Sequence, residues 1–209
     1  MSLEMHGLLD ALSTVRPIFH SEADFQHALA WLVQSEYPSA QIRLEMRPER
    51  GRRLDILVVL GGERIAIELK YLVARFDGMI NGERYDLPNQ AAQPISRHDF
   101  IKDITRLERF VADGLADSGW AVALSNDRGY WRQGAKVDPV DAMFRIHESR
   151  VLEGSLTWGP IAGLGTTRKR DEPLVLRGRY TCTWLEYSTV PRASGRSDEF
   201  RYLALEVSP

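Results

Sequence analysis

The sequence has few of the features that mark secreted, metal-thiolate or membrane-spanning proteins. Its 209 residues include a single cysteine, Cys182, which excludes an internal disulfide and a zinc site built from cysteines. No apolar run reaches the length of a membrane span, and the N-terminus lacks the pattern of a signal peptide. We therefore expect an intracellular, cytoplasmic protein with no membrane partner.

The charge balance excludes a general polycation. Lysine and arginine number 27 against 29 aspartate and glutamate residues, which gives a formal net charge of −2. A nucleic-acid ligand would therefore have to be held by a local basic cluster. The hydrophobic share of 44% is ordinary for a globular protein and allows one domain with a sizeable core.

Two apolar segments on either side of Gly61-Gly62 predict a β-hairpin. A two-residue turn pairs Leu60 with Glu63 and a four-residue turn pairs Val59 with Arg64, and either turn places Asp55 opposite Glu68 on one face. Lys70 lies two residues beyond Glu68 and projects from that face as well. Like charges in such a position destabilise a sheet, and a divalent cation would remove that cost. The hairpin therefore predicts a metal site with an ammonium group beside it.

Asp55, followed after a hairpin by Glu68-Leu69-Lys70, resembles the PD-(D/E)xK nuclease superfamily, although Leu54 replaces the proline of the family name. The resemblance implies an α/β, restriction endonuclease-like fold: an αβββαβ core with a mixed central sheet flanked by helices. It also implies Mg²⁺- or Mn²⁺-dependent hydrolysis of DNA, with RNA as a further possible substrate. Asp55, Glu68 and the backbone carbonyl of Leu69 would bind the metal. Lys70 would orient the attacking water or help to deprotonate it.

The helix predicted to begin after Ser21 places two polar residues beside its apolar stripe. Members of the resembled superfamily often carry an acid here that supports the metal site, so Glu22 is the candidate and Gln26 a weaker one. The alternative is that Glu22 only complements the helix dipole.

A basic turn at residues 47–53 precedes the Asp55 strand. Its position favours phosphate binding, and a solvated turn partly neutralised by acids is the alternative. Its candidate nucleic-acid-binding residues are Arg47, Arg50, Arg52 and Arg53.

The segment after Lys70 shows little periodicity through residue 97 and is rich in turn dipeptides. We predict a long flap that faces substrate or the partner in a homodimer. A second helix is predicted to begin with Ser96 as N-cap, and Lys102 and Arg106 lie largely on the side opposite its core face. Asp103 borders the core face, where it would hold Lys70 or an arginine, or else be a surface acid.

The remaining sequence predicts a nuclease-like core at residues 20–125 and a C-terminal elaboration at 126–209. Alternating patterns at 174–187 and 200–207 predict two strands that form an added β-hairpin. A basic turn at Arg168, Lys169 and Arg170 is either a second phosphate contact or a plain exposed turn.

Two other readings of the Asp–Glu–Lys set stay open at the level of sequence. One is a nuclease-like fold that binds nucleic acid or protein without cutting it. The other is an unrelated enzyme in which these residues form a structural ion pair.

Overall fold

The computed structural model describes residues 3–49, 52–89, 92–136, 138–191 and 198–209. Within these residues the fold is mixed α/β, with four helices and a mixed central sheet. The helices are α1 (Met5–Val15), α2 (Glu22–Glu36), α3 (Gln93–Ala112) and α4 (Leu164–Thr167). The strands are β1 (Gln41–Glu49), β2 (Arg52–Leu60), β3 (Glu63–Leu72), β4 (Phe76–Ile80), β5 (Glu83–Leu87), β6 (Ser118–Ser125), β7 (Val151–Leu156), β8 (Leu174–Thr181), β9 (Trp184–Thr189) and β10 (Glu199–Val207).

The central sheet has six strands in the order β1-β2-β3-β6-β10-β9. β1, β2 and β3 form an antiparallel meander, and α3 carries the chain across to β6, which pairs parallel to β3. The last two strands extend the sheet beyond β6 in antiparallel fashion. The central sheet therefore combines strands from both sides of residue 125.

The predicted hairpin register is confirmed. Leu60 pairs with Glu63, and the same register runs down the ladder to Ile56 and Ile67. Gly61 and Gly62 have φ angles of 60° and 92°, which a two-residue hairpin turn with strand-like twist requires and which glycine adopts freely. Asp55 and Glu68 are the next residues along the two strands after the paired Ile56 and Ile67.

Successive side chains of β3 point to opposite faces of the sheet and pack into two different hydrophobic cores. Ile65, Ile67, Leu69 and Tyr71 pack on the side of α1 and α2. Ala66 and Leu72 pack on the side of α3, and this is the face from which Glu68 and Lys70 project. The charged residues of β3 are therefore covered by α3.

The prediction of a long irregular flap at 71–97 is wrong. β3 continues to Leu72, and β4 and β5 form a hairpin closed by Asn81 and Gly82, both at positive φ. Phe76, Ile80, Tyr85 and Leu87 of this hairpin are buried in the core beside α1 and α2. Turn chemistry was visible in Asn81-Gly82, but the flanking strands are too short for a clear period of two.

The predicted start of α3 is also wrong. The helix begins at Gln93, three residues before Ser96, with Ala92 at its N-cap in the left-handed region. Pro94 lies in the first turn, where its missing N–H does not interrupt a helical hydrogen bond. Gln93-Pro94, one of the turn dipeptides that suggested a loop, is therefore part of the helix.

The predicted strand at 174–187 is interrupted. β8 ends at Thr181 and pairs with β7 in a separate two-stranded sheet, whereas β9 begins at Trp184 and pairs with β10. Cys182 is buried at the break, where its backbone N–H donates to the carbonyl of Arg150. Leu176, Tyr180, Cys182 and Trp184 are all buried, so the even-numbered alternation runs through the break and hid this change of partner.

Glu108 on α3 anchors the β7–β8 sheet. Its buried carboxylate accepts hydrogen bonds from the backbone N–H groups of Arg177 and Gly178 and from the hydroxyl of Tyr180. We expect Glu108→Ala to lower the free energy of unfolding by about 3 kcal/mol, because these donors would lose their acceptor. Urea denaturation tests this. Glu36→Ala, at the exposed end of α2, is the control, and equal costs for the two substitutions would refute the anchoring role.

Candidate active site

An open cavity of about 480 Å³ lies between the β2–β3 hairpin, α3 and the turn after α4. It brings together the three residues of the predicted motif and a set of charged side chains from the other elements. Its lining residues are Arg53, Asp55, Glu68, Lys70, Asp99, Lys102, Asp103, Arg106, Lys169 and Arg170.

Asp55 is fixed at both its backbone and its side chain. Its carbonyl accepts a hydrogen bond of 2.7 Å from Nε2 of Gln26, and its Oδ2 accepts one of 2.8 Å from the backbone N–H of Leu69. Within the described part of the chain, no donor contacts its Oδ1. The half-buried carboxylate therefore presents one oxygen toward the cavity in a held orientation.

Glu68 is 2% exposed and faces a cation from α3. Its Oε1 accepts a hydrogen bond of 2.8 Å from Nε of Arg106, and its Oε2 lies 2.6 Å from Nη2 of the same guanidinium. The second contact is close but outside hydrogen-bond geometry. Burial raises the pKa of Glu68 to about 8, even though Arg106 lowers it. Further positive charge nearby is therefore needed to keep this carboxylate ionised at neutral pH.

Lys70 is held by backbone and by α3. Its Nζ donates to the carbonyl of Leu69 at 3.1 Å and lies 2.7 Å from Oδ2 of Asp103. Burial alone would lower the pKa of Lys70, but the carboxylates of Asp103 and Glu22 outweigh it and raise that pKa. The side chain is therefore an ammonium ion in this arrangement.

Asp103 joins the two cations of the site. It is 5% exposed and also forms a 2.7 Å ion pair through Oδ1 with Nη2 of Arg106. Of the two predicted roles for Asp103, the geometry matches the one in which it holds Lys70 and an arginine in place.

Glu22 and Gln26 both reach the hairpin from α2. Oε2 of Glu22 accepts a hydrogen bond of 2.9 Å from the backbone N–H of Tyr71, one residue after Lys70. The residue as a whole is exposed, but its carboxylate is turned toward the sheet, and partial burial there raises its pKa against the opposing effect of Lys70. Gln26 is buried and contacts the backbone of Asp55.

The predicted basic turn is shorter than expected. Arg47 lies exposed within β1, outside the residues that line the cavity, and Arg52 begins β2. Arg50 lies outside the described residues. Arg53 lines the cavity and forms an ion pair with Glu45. The strands continue through most of the predicted turn because β1 and β2 pair as far as Glu49 and Arg52.

Sequence reasoning missed the cationic contribution of α3. Arg106 was placed largely on the far side of the helix, yet it contacts both Glu68 and Asp103. A signal was present, because residues three apart on a helix are neighbours and Asp103 and Arg106 are oppositely charged. Lys102 and Asp99 line the cavity from the same helix.

Hard oxygen ligands suit Mg²⁺ or Mn²⁺ at this site. The carboxylates of Asp55 and Glu68 and the carbonyl of Leu69 make a donor set of the kind that Mg²⁺ uses together with water and phosphate oxygens. The Oε2 atom of Glu68 has no aligned donor, which agrees with a role as a ligand. Among the described residues no group of three or more His, Cys, Asp or Glu side chains is arranged to hold a metal ion. Two carboxylates and one backbone carbonyl would therefore need water or phosphate oxygens to complete the coordination of a metal.

Comparison with protein-family models finds no match, and comparison with curated proteins finds none either. In the ranges that the structure describes, none of the helices is long and apolar enough to cross a membrane.

Asp99 makes a pH-sensitive contact at the rim of the cavity. Burial alone would raise its pKa, but hydrogen bonds with His98 and Arg170 outweigh it and lower that pKa to about 2. An acid with a depressed folded-state pKa stabilises the fold above its unfolded pKa of about 4 and loses this contribution as the pH falls toward 2. We expect wild type to exceed Asp99→Asn in stability by about 1 kcal/mol near neutral pH, since the pair is partly exposed.

Urea denaturation at a series of pH values measures that difference. It should shrink between about pH 5 and pH 2, because the unfolded chain takes up a proton at Asp99 near pH 4, whereas the folded protein does so only near pH 2. A difference that stays constant across this range would show that the Asp99–Arg170 contact contributes no charge-dependent stability.

Proposed function

We propose that this protein is a metal-dependent nuclease of the PD-(D/E)xK kind that hydrolyses phosphodiester bonds of DNA. The observation that carries the proposal is the meeting of Asp55, Glu68 and Lys70 in one open cavity on the predicted hairpin register. The order α2, β1, β2, β3, α3, β6 supports the αβββαβ core implied by the resemblance, with the β4–β5 hairpin inserted before α3.

Each side chain has a defined task in this proposal. Asp55 and Glu68, with the carbonyl of Leu69, would hold the metal, which when bound lowers the pKa of a coordinated water and neutralises phosphate charge. Lys70, held by Asp103, keeps an ammonium beside the scissile phosphate and orients the water. It stabilises the negative charge that builds up there in the transition state.

Three further residues position this set. Gln26 fixes the backbone of Asp55, and Glu22 fixes the backbone after Lys70. Arg106 lowers the pKa of Glu68 and orients its carboxylate in the absence of metal, and it would have to share that carboxylate with a bound cation.

One observation favours a second candidate, a nuclease-like fold that binds nucleic acid without cutting it. Glu68 and Lys70 are both engaged in internal ion pairs, with Arg106 and Asp103 respectively. If no metal displaces these contacts, the cavity offers a surface for binding and no reactive water.

A cleavage assay separates the two candidates. The protein is incubated with supercoiled plasmid, linear duplex, single-stranded DNA, branched DNA and RNA, in Mg²⁺, in Mn²⁺ and in EDTA. We expect metal-dependent cleavage of at least one DNA substrate, and none in EDTA. Binding without cleavage on every substrate would favour the binding module. Equal cleavage by Asp55→Asn, prepared in parallel, would mean that the activity does not depend on Asp55 and would contradict the proposed site.

A further inference from the structure

We infer that Lys169, supplied by the C-terminal part of the chain, is a phosphate-binding residue of this site, and that it guides a nucleic-acid backbone across the cavity. The inference rests on the proposed function. It assigns to the turn after α4 a role in substrate binding beside that of the hairpin and α3.

The position of Lys169 connects two cavities. It lines the candidate active site, and it also lines a second open cavity of about 590 Å³ beside α4. The second cavity is bordered by Leu164, Gly165, Thr167, Arg168 and Asp171 as well. An extended polyanion that leaves the first cavity on this side would therefore pass Lys169 and then Arg168.

The backbone of Lys169 is held in an unfavourable conformation. Its φ is 64°, in the left-handed region that residues with a Cβ rarely adopt. The next residue is anchored on both sides: Arg170 pairs with Asp99 at 3.0 Å, and its carbonyl accepts a 2.7 Å hydrogen bond from Nε1 of Trp158. Strained backbone that neighbouring contacts impose is a recurring feature of functional sites.

The charge at the rim fits a phosphate backbone. Inside the cavity the carboxylates of Glu68 and Asp103 each pair with a cation, whereas the exposed Lys102 and Lys169 stand at the rim without an ion-pair partner among the described residues. Lysine binds phosphate as a point charge without reading sequence. The two lysines therefore suit contact with the phosphates of a bound backbone.

Lys169→Gly tests this inference, because glycine removes the charge and also relieves the backbone strain. The probe is a fluorescein-labelled DNA duplex, titrated with protein in Ca²⁺ between about 50 and 200 mM KCl, with a labelled single strand in parallel. We expect about tenfold weaker binding and a salt dependence whose slope falls by about 1. The thermal midpoint should be unchanged or higher, and Lys169→Arg should bind like wild type.

Two variants provide matched controls. Ser149→Gly makes the same backbone change at another left-handed residue, with φ of 62°, and Lys136→Ala removes an exposed lysine. Neither residue lines the two cavities, and both variants should bind like wild type.

The outcomes are distinguishable. If wild type cleaves DNA and Lys169→Gly binds with unchanged affinity and salt slope, the inference about Lys169 is overturned and the proposed function stands. Weaker binding together with a lower thermal midpoint would show a structural role and would also overturn it. If wild type neither binds nor cleaves any substrate, the proposed function fails and the inference fails with it.

Discussion

Asp55→Asn is expected to reduce DNA cleavage at least about a thousandfold while leaving the fold intact. The substitution removes one of the two carboxylates that would hold the metal. It keeps an oxygen that can accept the hydrogen bond now made by the backbone N–H of Leu69. The free energy of unfolding should change little, because Asp55 is repelled by Glu22, Glu68 and Asp103 and attracted by Lys70 and Arg106.

Single-turnover cleavage in Mg²⁺ and urea denaturation measure the two parts of this prediction. Asp113→Asn, at the exposed end of α3, makes the same chemical change away from the cavity and should cleave like wild type. DNA affinity measured in Ca²⁺ should stay within about threefold of wild type, since the basic rim is unaltered. Cleavage by Asp55→Asn at the rate of wild type would show that the metal is held elsewhere.

Arg106→Met is expected to lower the free energy of unfolding by about 3 kcal/mol. The guanidinium faces Glu68 and Asp103, both more than nine-tenths buried, and its loss leaves their charges with less compensation. Methionine keeps most of the aliphatic packing, so the effect reports mainly on charge. Mg²⁺ should stabilise this variant more than it stabilises wild type, because the cation would replace part of the missing positive charge.

Two companion variants make the interpretation specific. Arg109→Met lies on the exposed side of α3 and should change stability by less than about 0.5 kcal/mol. Adding Glu68→Gln to Arg106→Met should recover a large part of the loss, because the uncompensated carboxylate is then gone. If Arg106→Met lowers the free energy of unfolding no more than Arg109→Met does, the ion pair does not contribute to stability and Arg106 does not hold Glu68 in place.

The hairpin and its charged face could be predicted from sequence because the determinants are local. Gly61-Gly62 leaves few turn geometries, and each of them sets the same register between Asp55 and Glu68. A one-residue slip would have turned Lys70 into the opposite core, so burial on both faces makes the register strongly specified. Ser21 likewise caps α2 as predicted, with its side chain accepting a hydrogen bond from the N–H of Asp24.

The rest of the site depends on tertiary packing that the local sequence does not encode. Arg106 is a surface residue or the partner of Glu68 depending on which face of α3 packs against the sheet. Apolar periodicity does not decide this for a residue at the border of the apolar face. Lys169 reaches the cavity because β8 packs against α3 and Arg170 pairs with Asp99 of the same helix. Residues that meet at this site from about 70 to 100 positions apart in the chain leave no short-range pattern in the sequence.

Anomalous diffraction from crystals soaked in Mn²⁺ is the most direct test of the proposal that Asp55 and Glu68 form a metal site. We expect a peak in contact with both carboxylates and with the carbonyl of Leu69, together with movement of Arg106 away from Oε2 of Glu68. The peak should be missing from Asp55→Asn crystals soaked in the same way. A wild-type crystal with no peak in this cavity, and with Arg106 still in contact with Glu68, would contradict the account. It would mean that Asp55, Glu68 and Lys70 belong to a structural ion-pair network.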